Sequence, residues 1–281
     1  MLTRLMVVTA ACCAAGAVAA DPLPAVTREF RVNFAVDMTT ESGGRSEKHI
    51  ADTRIQYAWK RVDKERTLSL SAMDVKLKAG DRVLIDTKMS RAGVFGTQNA
   101  KQVESKYEDA PEPLKRMLHD TFDSPLCKLE VDATGKEMKR TIVTGLGAEF
   151  ALKDGMISNT SLFHPPYLAD KDEWSAERAV GANNTDAKGK LTYTKSGRVK
   201  GGQAVKVTGI LSADNAKTKI GTIQNSKYNV TGTQTYAADR QEWVDGKLEI
   251  EFALDIVKED RAVAKVKGKM TVAFQMLPEN K

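Results

Sequence analysis

Apolar and polar residues alternate along three stretches of this chain, and that alternation limits the possible folds more than any other feature. Every second residue is large and apolar in Phe30–Met38, Leu248–Ile256 and Met270–Met276. Successive side chains of a β-strand point to opposite faces, so such a stretch places its apolar residues on one face. We therefore expect three half-buried strands whose apolar stripes point onto shared interiors.

The turns between strand-like segments are short and rich in glycine, asparagine and aspartate. Examples are Gly181–Asn184 and the pair Asp245-Gly246. Short turns bring sequence neighbours together as antiparallel pairs. The sequence therefore predicts a mainly β fold of curved antiparallel sheets, in a half-barrel or sandwich-like arrangement, with one short helical segment.

A change of apolar phase within one predicted strand indicates an irregularity. Leu68, Leu70 and Ala72 occupy even positions, whereas Met73 and Val75 occupy odd ones. One additional residue in a strand exchanges the two faces of everything that follows it. We therefore predict a bulge or a bend at this point.

Residues 98–122 contain the helical segment of this prediction. Their apolar residues recur at steps of three and four, the spacing of one helical face: Val103, Tyr107, Ala110, Leu114, Met117, Leu118 and Phe122. Pro111 and a second proline two residues later interrupt the stripe, and prolines inside a helix are strongly destabilising. Asp109 and Glu112 have the spacing of a capping box. We therefore predict a short element before Pro111 and a firmer helix over 112–121, which would form a lid or bridge over the sheets.

A charged β-hairpin is predicted after this helix. Leu129 and Val131 alternate with charged residues, and Asp132–Gly135 supplies a turn before Met138. Cys127, at the entry to the hairpin, is interpreted as a small buried apolar side chain.

A proline-bearing linker separates two strand-rich blocks. His164-Pro165-Pro166 favours extended backbone shortly before Trp174. The predicted organisation is a signal peptide at 1–20, an N-terminal β block at 21–165 that includes the helical segment 98–122, and a C-terminal antiparallel β block at 166–281.

The N-terminus has the three parts of a secretory signal peptide. Arg4 supplies a positive charge, residues 5–18 are apolar or small, and Val18-Ala19-Ala20 fits a small-residue cleavage site. We therefore expect an exported protein, periplasmic or secreted. Lipidation at Cys12 or Cys13 is a minority interpretation, and it is the condition under which we expect association with a membrane.

Catalytic and metal-binding motifs are absent from the sequence. His49, His119 and His164 are isolated, and no GxSxG elbow, phosphate-binding loop or CxxC pair occurs. We therefore predict no cofactor, no metal and no catalytic residue, although a carboxylate pair such as Glu173 and Glu177 leaves a hydrolase open. The net charge of +6 combines many residues of both signs, which favours acidic partners weakly and gives no basis for nucleic-acid binding.

Five aromatic residues are candidates for ligand binding: Trp59, Tyr107, Trp174, Tyr193 and Trp243. Aromatic rings stack on sugars and on hydrophobic ligands, but they also anchor protein cores, and both roles remain open for each tryptophan. Tyr193 also precedes the basic residues Lys195, Arg198 and Lys200. That cluster would suit a polyanion, and its alternative interpretation is a solvated hairpin tip.

The chain resembles a family of exported bacterial proteins of unknown function. The shared features are Pro113-Leu114, Pro125-Leu126, the turn Asp132–Gly135, the proline-bearing linker to Trp174 and the closing strands around Tyr236–Gly246. The Lys-Val-Gly-Asp that usually precedes this tryptophan is replaced here by Ala169–Asp172. The resemblance covers most of the mature chain and implies no activity. A β-sheet with a helical lid is also similar, at the level of fold, to periplasmic lipoprotein carriers.

We therefore expect an exported, non-enzymatic envelope or secreted protein that binds a hydrophobic or glycan ligand on a concave sheet face. The alternatives are a hydrolase of envelope polymers and a purely structural surface protein. A concave apolar face under the helix over 112–122 would favour the carrier.

Overall fold

The described part of the chain forms one antiparallel sheet and one helix. The structure, a computed structural model, describes residues 25–62, 65–122, 124–131, 137–142, 171–180, 187–218, 220–237 and 242–278. The elements within these residues are β1 (Val26–Ser42), β2 (Arg45–Val62), β3 (Glu65–Ala79), β4 (Arg82–Ser90), β5 (Gly93–Gln98), β6 (Lys101–Lys106), α1 (Glu112–Phe122), β7 (Pro125–Val131), β8 (Glu137–Ile142), β9 (Glu173–Val180), β10 (Ala187–Val199), β11 (Gly202–Ser212), β12 (Thr222–Ala237), β13 (Glu242–Lys258) and β14 (Arg261–Met276).

The strand order shows that the sequence neighbours pair, as the short turns predict. The order along the sheet is β6-β5-β4-β3-β2-β1-β14-β13-β12-β11-β10-β9, with β7 attached to β3 and β8 attached to β7. The predicted hairpin after the helix is thereby confirmed as the β7–β8 pair, and its turn lies outside the described residues. The mainly β antiparallel fold with one short helix is confirmed.

The first and last strands join the two halves of the chain into one sheet. β1 pairs with β14 in antiparallel register, with Phe34 opposite Val272 and Val36 opposite Met270. Sequence-local hairpins therefore build most of each half, with β3–β7 as an exception, and the long-range β1–β14 pair connects the halves. The division of the chain into two domains stays a prediction.

The alternating stripes point inward as predicted. Phe30 and Val32 of β1, Leu248 of β13, and Val272 and Phe274 of β14 are all at most 3% exposed. They belong to one apolar cluster that extends across both halves of the sheet. Residues nearer the strand ends are half-buried. Burial of one face therefore explains the period-two pattern of the sequence.

The predicted irregularity in β3 is a bulge at Ser71. Tyr57 of β2 lies opposite Leu70, but the preceding Gln56 lies opposite Ala72, so Ser71 is the additional residue. The bulge occurs where the other edge of β3 changes partner: β7 pairs up to Ser69, and β4 pairs from Ala72 onward. The bulge thus separates the part of β3 that pairs with β7 from the part that pairs with β4.

The helix covers Glu112–Phe122, which matches the firmer helix predicted from the capping residues. The amides of Leu114 and Lys115 donate to the carbonyl of Pro111 at 2.9 and 3.0 Å, so a proline occupies the helix start, where its missing N–H costs nothing. Leu118 and Phe122 are buried in the common cluster, and α1 packs against β3.

The first part of the predicted helical segment 98–122 is wrong, because residues 101–106 form β6. Gln98 and Lys101 pair across a two-residue turn, and the φ angles of Asn99 and Ala100 are 49° and 62°. Two positive φ angles define the tight turn that suits the twist of a hairpin. Pairing with β5 therefore overrides the helical spacing, which only Val103 and Tyr107 support in this part of the segment.

Candidate functional site

The inner face of the sheet contains a cavity of about 550 Å³. Its walls come from seven neighbouring strands, β14 and β1 to β6. The lining residues are Phe34, Val36, Thr53, Ile55, Met73, Val75, Ile85, Thr87, Met89, Val94, Gln98, Val103 and Met270.

The cavity shows that this part of the sheet is curved. Met270 of β14 and Val103 of β6 both line it, although six strand spacings separate them. On a flat sheet they would stand about 28 Å apart. One cavity touches both only if the strands bend around it, so the apolar face is concave here.

The lining is suited to an apolar ligand. None of the described lining residues is charged, and the polar ones are Thr53, Thr87 and Gln98. Gln98 is exposed at the rim, whereas Thr87 is buried. Two hydroxyls and one amide can orient a ligand, but they supply no nucleophile with an adjacent base. A mostly apolar pocket with few polar groups is typical of small-molecule sites.

The apolar lining is partly accessible, which a ligand requires. Val36, Val75, Val94 and Val103 are each half-buried. Covering such surface removes it from water and favours binding. Three further lining residues are methionines, whose unbranched side chains adapt to irregular shapes.

The helix α1 does not form a wall of this cavity. The cavity reaches Met73 and Val75 of β3, beyond the bulge, whereas none of the described helix residues lines it. The concave apolar face expected of a carrier is therefore present, but it does not lie under α1. The lid role proposed for the helix stays a prediction.

The five aromatic candidates lie away from the cavity and do not form one groove. Trp59 and Tyr107 are half-buried and pack against the core cluster. Trp243 contacts Tyr236 edge to face, with ring centroids 5.2 Å apart. Trp174 and Tyr193 are brought together, opposite each other on β9 and β10. Their role in ligand binding stays a prediction.

Trp174, Tyr193 and Arg178 form a compact group at the β9 edge. The rings of Trp174 and Tyr193 stack with centroids 5.4 Å apart and planes at 15°. Arg178 Nε donates to the Tyr193 hydroxyl at 3.0 Å, and its Nη1 donates to the carbonyl of Glu177 at 3.0 Å. Burial raises the pKa of Tyr193, so this phenol is protonated at neutral pH.

A second charged group lies at the end of the sheet where β1 and β13 begin. Glu242 Oε2 lies 3.2 Å from Arg28 Nε, and Glu242 Oε1 lies 3.6 Å from Arg61 Nη1. Burial lowers the pKa of the neighbouring Arg66, and the charge of Arg61 acts in the same direction. This group fixes strand ends, and it contributes nothing to the cavity lining.

The described residues contain neither a cluster of metal-ligand side chains nor a membrane-spanning helix. No group of three or more histidine, cysteine, aspartate or glutamate side chains within them could hold a metal ion. No helix among them has the length and apolarity needed to cross a membrane. Glu173 and Glu177 are both exposed, on the face of β9 opposite to Trp174.

The fold is similar to that of lipovitellin, in a structure concerned with lipid–protein interactions. The match has a TM-score of 0.50 and 9% sequence identity, and it covers 90% of this chain. The chain spans 26% of the length of that lipovitellin chain. At this identity the likeness shows the fold alone. The protein is therefore a large open antiparallel sheet of a form that is also present in lipovitellin.

The other comparisons provide no assignment. A crystal structure of OccK11 (OpdR) from Pseudomonas aeruginosa matches with 8% identity over 90% of this chain and 96% of that one, but its TM-score of 0.19 supports no argument. No family model matches the chain. No curated protein matches it either. The resemblance to exported proteins of unknown function thus stays a prediction.

Proposed function

We propose that this protein binds a hydrophobic ligand, such as the acyl chain of a lipid, in the concave cavity on the inner face of β1 to β6 and β14. The observation that carries this proposal is the lining of the cavity, whose volume is about 550 Å³. The lining is mostly apolar and carries no charge, and several of its residues are half-buried. The likeness to lipovitellin, whose structure concerns lipid–protein interactions, supports the proposal at the level of fold.

The lining favours a lipid over a glycan. Sugar-binding sites present aromatic faces and many hydrogen-bonding groups. Here the one aromatic lining residue is Phe34, which is buried, and three polar side chains serve the whole cavity. An acyl chain needs no such groups, because its binding derives from the removal of apolar surface from water.

Export is part of this proposal and is supported by the sequence of residues 1–20. A secreted or periplasmic protein with an apolar cavity would take up its ligand outside the cytoplasm.

An uncharged fluorescent probe tests the proposal. N-phenyl-1-naphthylamine should bind the purified protein with increased emission, and monoolein, an uncharged lipid, should displace it while maltohexaose should not. Val103→Glu places a carboxylate on an edge strand that tolerates charge. It should weaken probe binding by about tenfold or more, because the carboxylate must be desolvated when the probe binds.

Val199→Glu is the matched control, because Val199 is 50% exposed and lies on β10, away from the cavity. This control should bind the probe as the original chain does, and both variants should melt at similar temperatures. Equal binding by Val103→Glu and the original chain, or displacement by maltohexaose and not by monoolein, would overturn the proposal.

A further inference from the structure

The group formed by Trp174, Arg178 and Tyr193 has more hydrogen-bond donors than acceptors. Trp174 Nε1 and Arg178 Nη2 are buried, and no described residue accepts a hydrogen bond from either. Indole and guanidinium nitrogens donate only and cannot satisfy each other. A buried donor without an acceptor is costly, which makes such atoms informative about what the site is built to hold.

The positive charge of Arg178 also lacks a described carboxylate partner. Within the described residues it contacts the Tyr193 hydroxyl, the Tyr193 ring at 5.8 Å and the Glu177 carbonyl. The acidic side chains of its own strand, Glu173 and Glu177, are exposed and belong to the opposite face, because strand side chains alternate. A partly buried guanidinium without a counterion attracts an anion.

Tyr193 adds a third donor. Its oxygen accepts from Arg178 Nε, and burial keeps its own proton in place. That proton is available to an acceptor, since the described contacts use the oxygen only as an acceptor. The stacked pair and the guanidinium beside it therefore carry three donors and one positive charge.

Two neighbours of Arg178 are small residues. Arg178 lies opposite Gly189 on β10, so the residue directly across the strand pair has no side chain. Ala176 separates Arg178 from Trp174 on the same face of β9. Among the described strands, β9 is also the last of the sheet order, at the edge opposite to β6.

We infer that Trp174, Arg178 and Tyr193 form a binding site for a carboxylate or phosphate group. Such a group accepts several hydrogen bonds and carries the charge that Arg178 requires. The site is on β9 and β10, whereas the apolar cavity lies on β14 and β1 to β6. It does not depend on the function proposed for that cavity. The anion is either free or the head group of an amphiphile, since the same donors bind both.

The three indole N–H groups make the inference measurable within one molecule. Indole resonances are recorded in a ¹H–¹⁵N correlation spectrum of the purified protein and assigned with single Trp→Phe variants. The protein is titrated with inorganic phosphate and, separately, with dodecyl phosphate below its micelle concentration. Sodium chloride of equal ionic strength and dodecyl maltoside serve as the charge and chain controls.

The Trp174 resonance should shift and saturate with phosphate-bearing probes, while those of Trp59 and Trp243 should not. Equal affinity for both probes identifies a site for the free anion, and a response to dodecyl phosphate alone identifies a head-group site. Arg178→Gln should weaken binding by about tenfold or more, because charge-assisted bonds are lost. Arg198→Gln, which removes an exposed charge from β10, should leave the affinity unchanged.

Three results would overturn the inference: no saturable Trp174 shift with either phosphate probe, unchanged affinity in Arg178→Gln, or equal losses in Arg178→Gln and Arg198→Gln. If Arg178→Gln does not fold, Trp174→Phe replaces it, because it retains the stacked ring and removes one donor. Affinity for dodecyl phosphate is then measured by calorimetry. An unchanged affinity in Trp174→Phe would count against the site in the same way.

Discussion

Arg61 Nη1 lies 3.6 Å from Glu242 Oε1, although these residues stand on β2 and β13, three strand spacings apart. On a flat sheet their strands would be about 14 Å apart. Arg28 of β1, which lies between them, also contacts Glu242 at 3.2 Å. One carboxylate thus connects strands from both halves of the chain at one end of the sheet.

Replacing this carboxylate should destabilise the fold. The side chains of Glu242, Arg28 and Arg61 are between 10% and 16% exposed, so the variant Glu242→Gln removes a poorly solvated negative charge from contact with two guanidinium groups. We expect a loss of about 3 kcal/mol in the free energy of unfolding, the usual size when one partner of a buried pair is removed. Urea denaturation monitored by circular dichroism measures it.

Glu249→Gln is the control for that experiment. Glu249 contacts Lys247 and Lys269 at 3.0 Å each, but all three side chains are well exposed. Exposed pairs contribute little, because water and salt screen them. The urea midpoint of this variant should therefore stay close to that of the original chain. Equal midpoints for the two variants would show that Glu242 does not connect the two halves.

The connection between β11 and β12 predicts a dependence of stability on pH. The Ser226 N–H donates to Asp214 Oδ1 at 2.7 Å, and this bond holds the pKa of Asp214 below its usual value, with help from the Ser226 hydroxyl. A lowered folded-state pKa gives stability that is present above the unfolded-state value of about 3.9 and is lost as the pH falls through the folded-state value.

Asp214→Asn should therefore lower the melting temperature at pH 6 and have a progressively smaller effect toward pH 2. The amide keeps an acceptor oxygen but removes the charge whose pKa is shifted. Melting curves of both proteins at half-unit pH steps give the difference directly. Asp81→Asn, at an exposed turn position, provides the comparison, and a pH-independent difference for Asp214→Asn would contradict this prediction.

The bulge at Ser71 shows how far the sequence specifies this fold. The phase change between Leu70 and Met73 was sufficient to predict an irregularity, because burial of one face leaves a period-two record in the sequence. The change of strand partner at that point is not predictable, because the sequence of β3 does not specify whether β4 or β7 pairs with each part of its edge. The same holds for the β1–β14 pair. The apolar stripes of the strands have the same alternating pattern, so the pattern does not show which two strands pair, and tertiary packing decides it.

Deleting Ser71 should abolish the native fold. Without this residue, the apolar side chains on one side of the bulge would point to the solvent face of β3. Circular dichroism and limited proteolysis should then report an unfolded or aggregated chain. Ser71→Ala keeps the residue count at an exposed position and should melt as the original protein does. A deletion variant that melts cooperatively at the original temperature would be incompatible with this register.

The candidate cavity was less predictable than the fold. Phe34 and Val36 belong to a visible stripe, but Ile85, Val94 and Val103 lie on shorter strands without a long alternating stripe. Which of them remain half-exposed depends on the curvature of the sheet, and a strand does not encode that locally. The tryptophan and tyrosine rings that the sequence offers as candidates instead pack against the core or group at the β9 edge.

The turn between β5 and β6 yields a stabilising substitution, Ala100→Gly. Ala100 has a φ of 62°, a region that costs a residue with a Cβ about 1 kcal/mol, and Asn-Gly is the preferred pair for this turn. Glycine is more flexible when unfolded, which offsets part of the gain, so the melting temperature should rise by a few degrees. Differential scanning calorimetry measures the change.

Ala92→Gly is the control for this substitution. Ala92 is at an exposed position before β5 and has no positive φ, so the variant should lower the melting temperature or leave it unchanged. If Ala100→Gly lowered the melting temperature as much as Ala92→Gly does, the strained turn would not form. The contribution of β6 to the cavity wall would then also be contradicted.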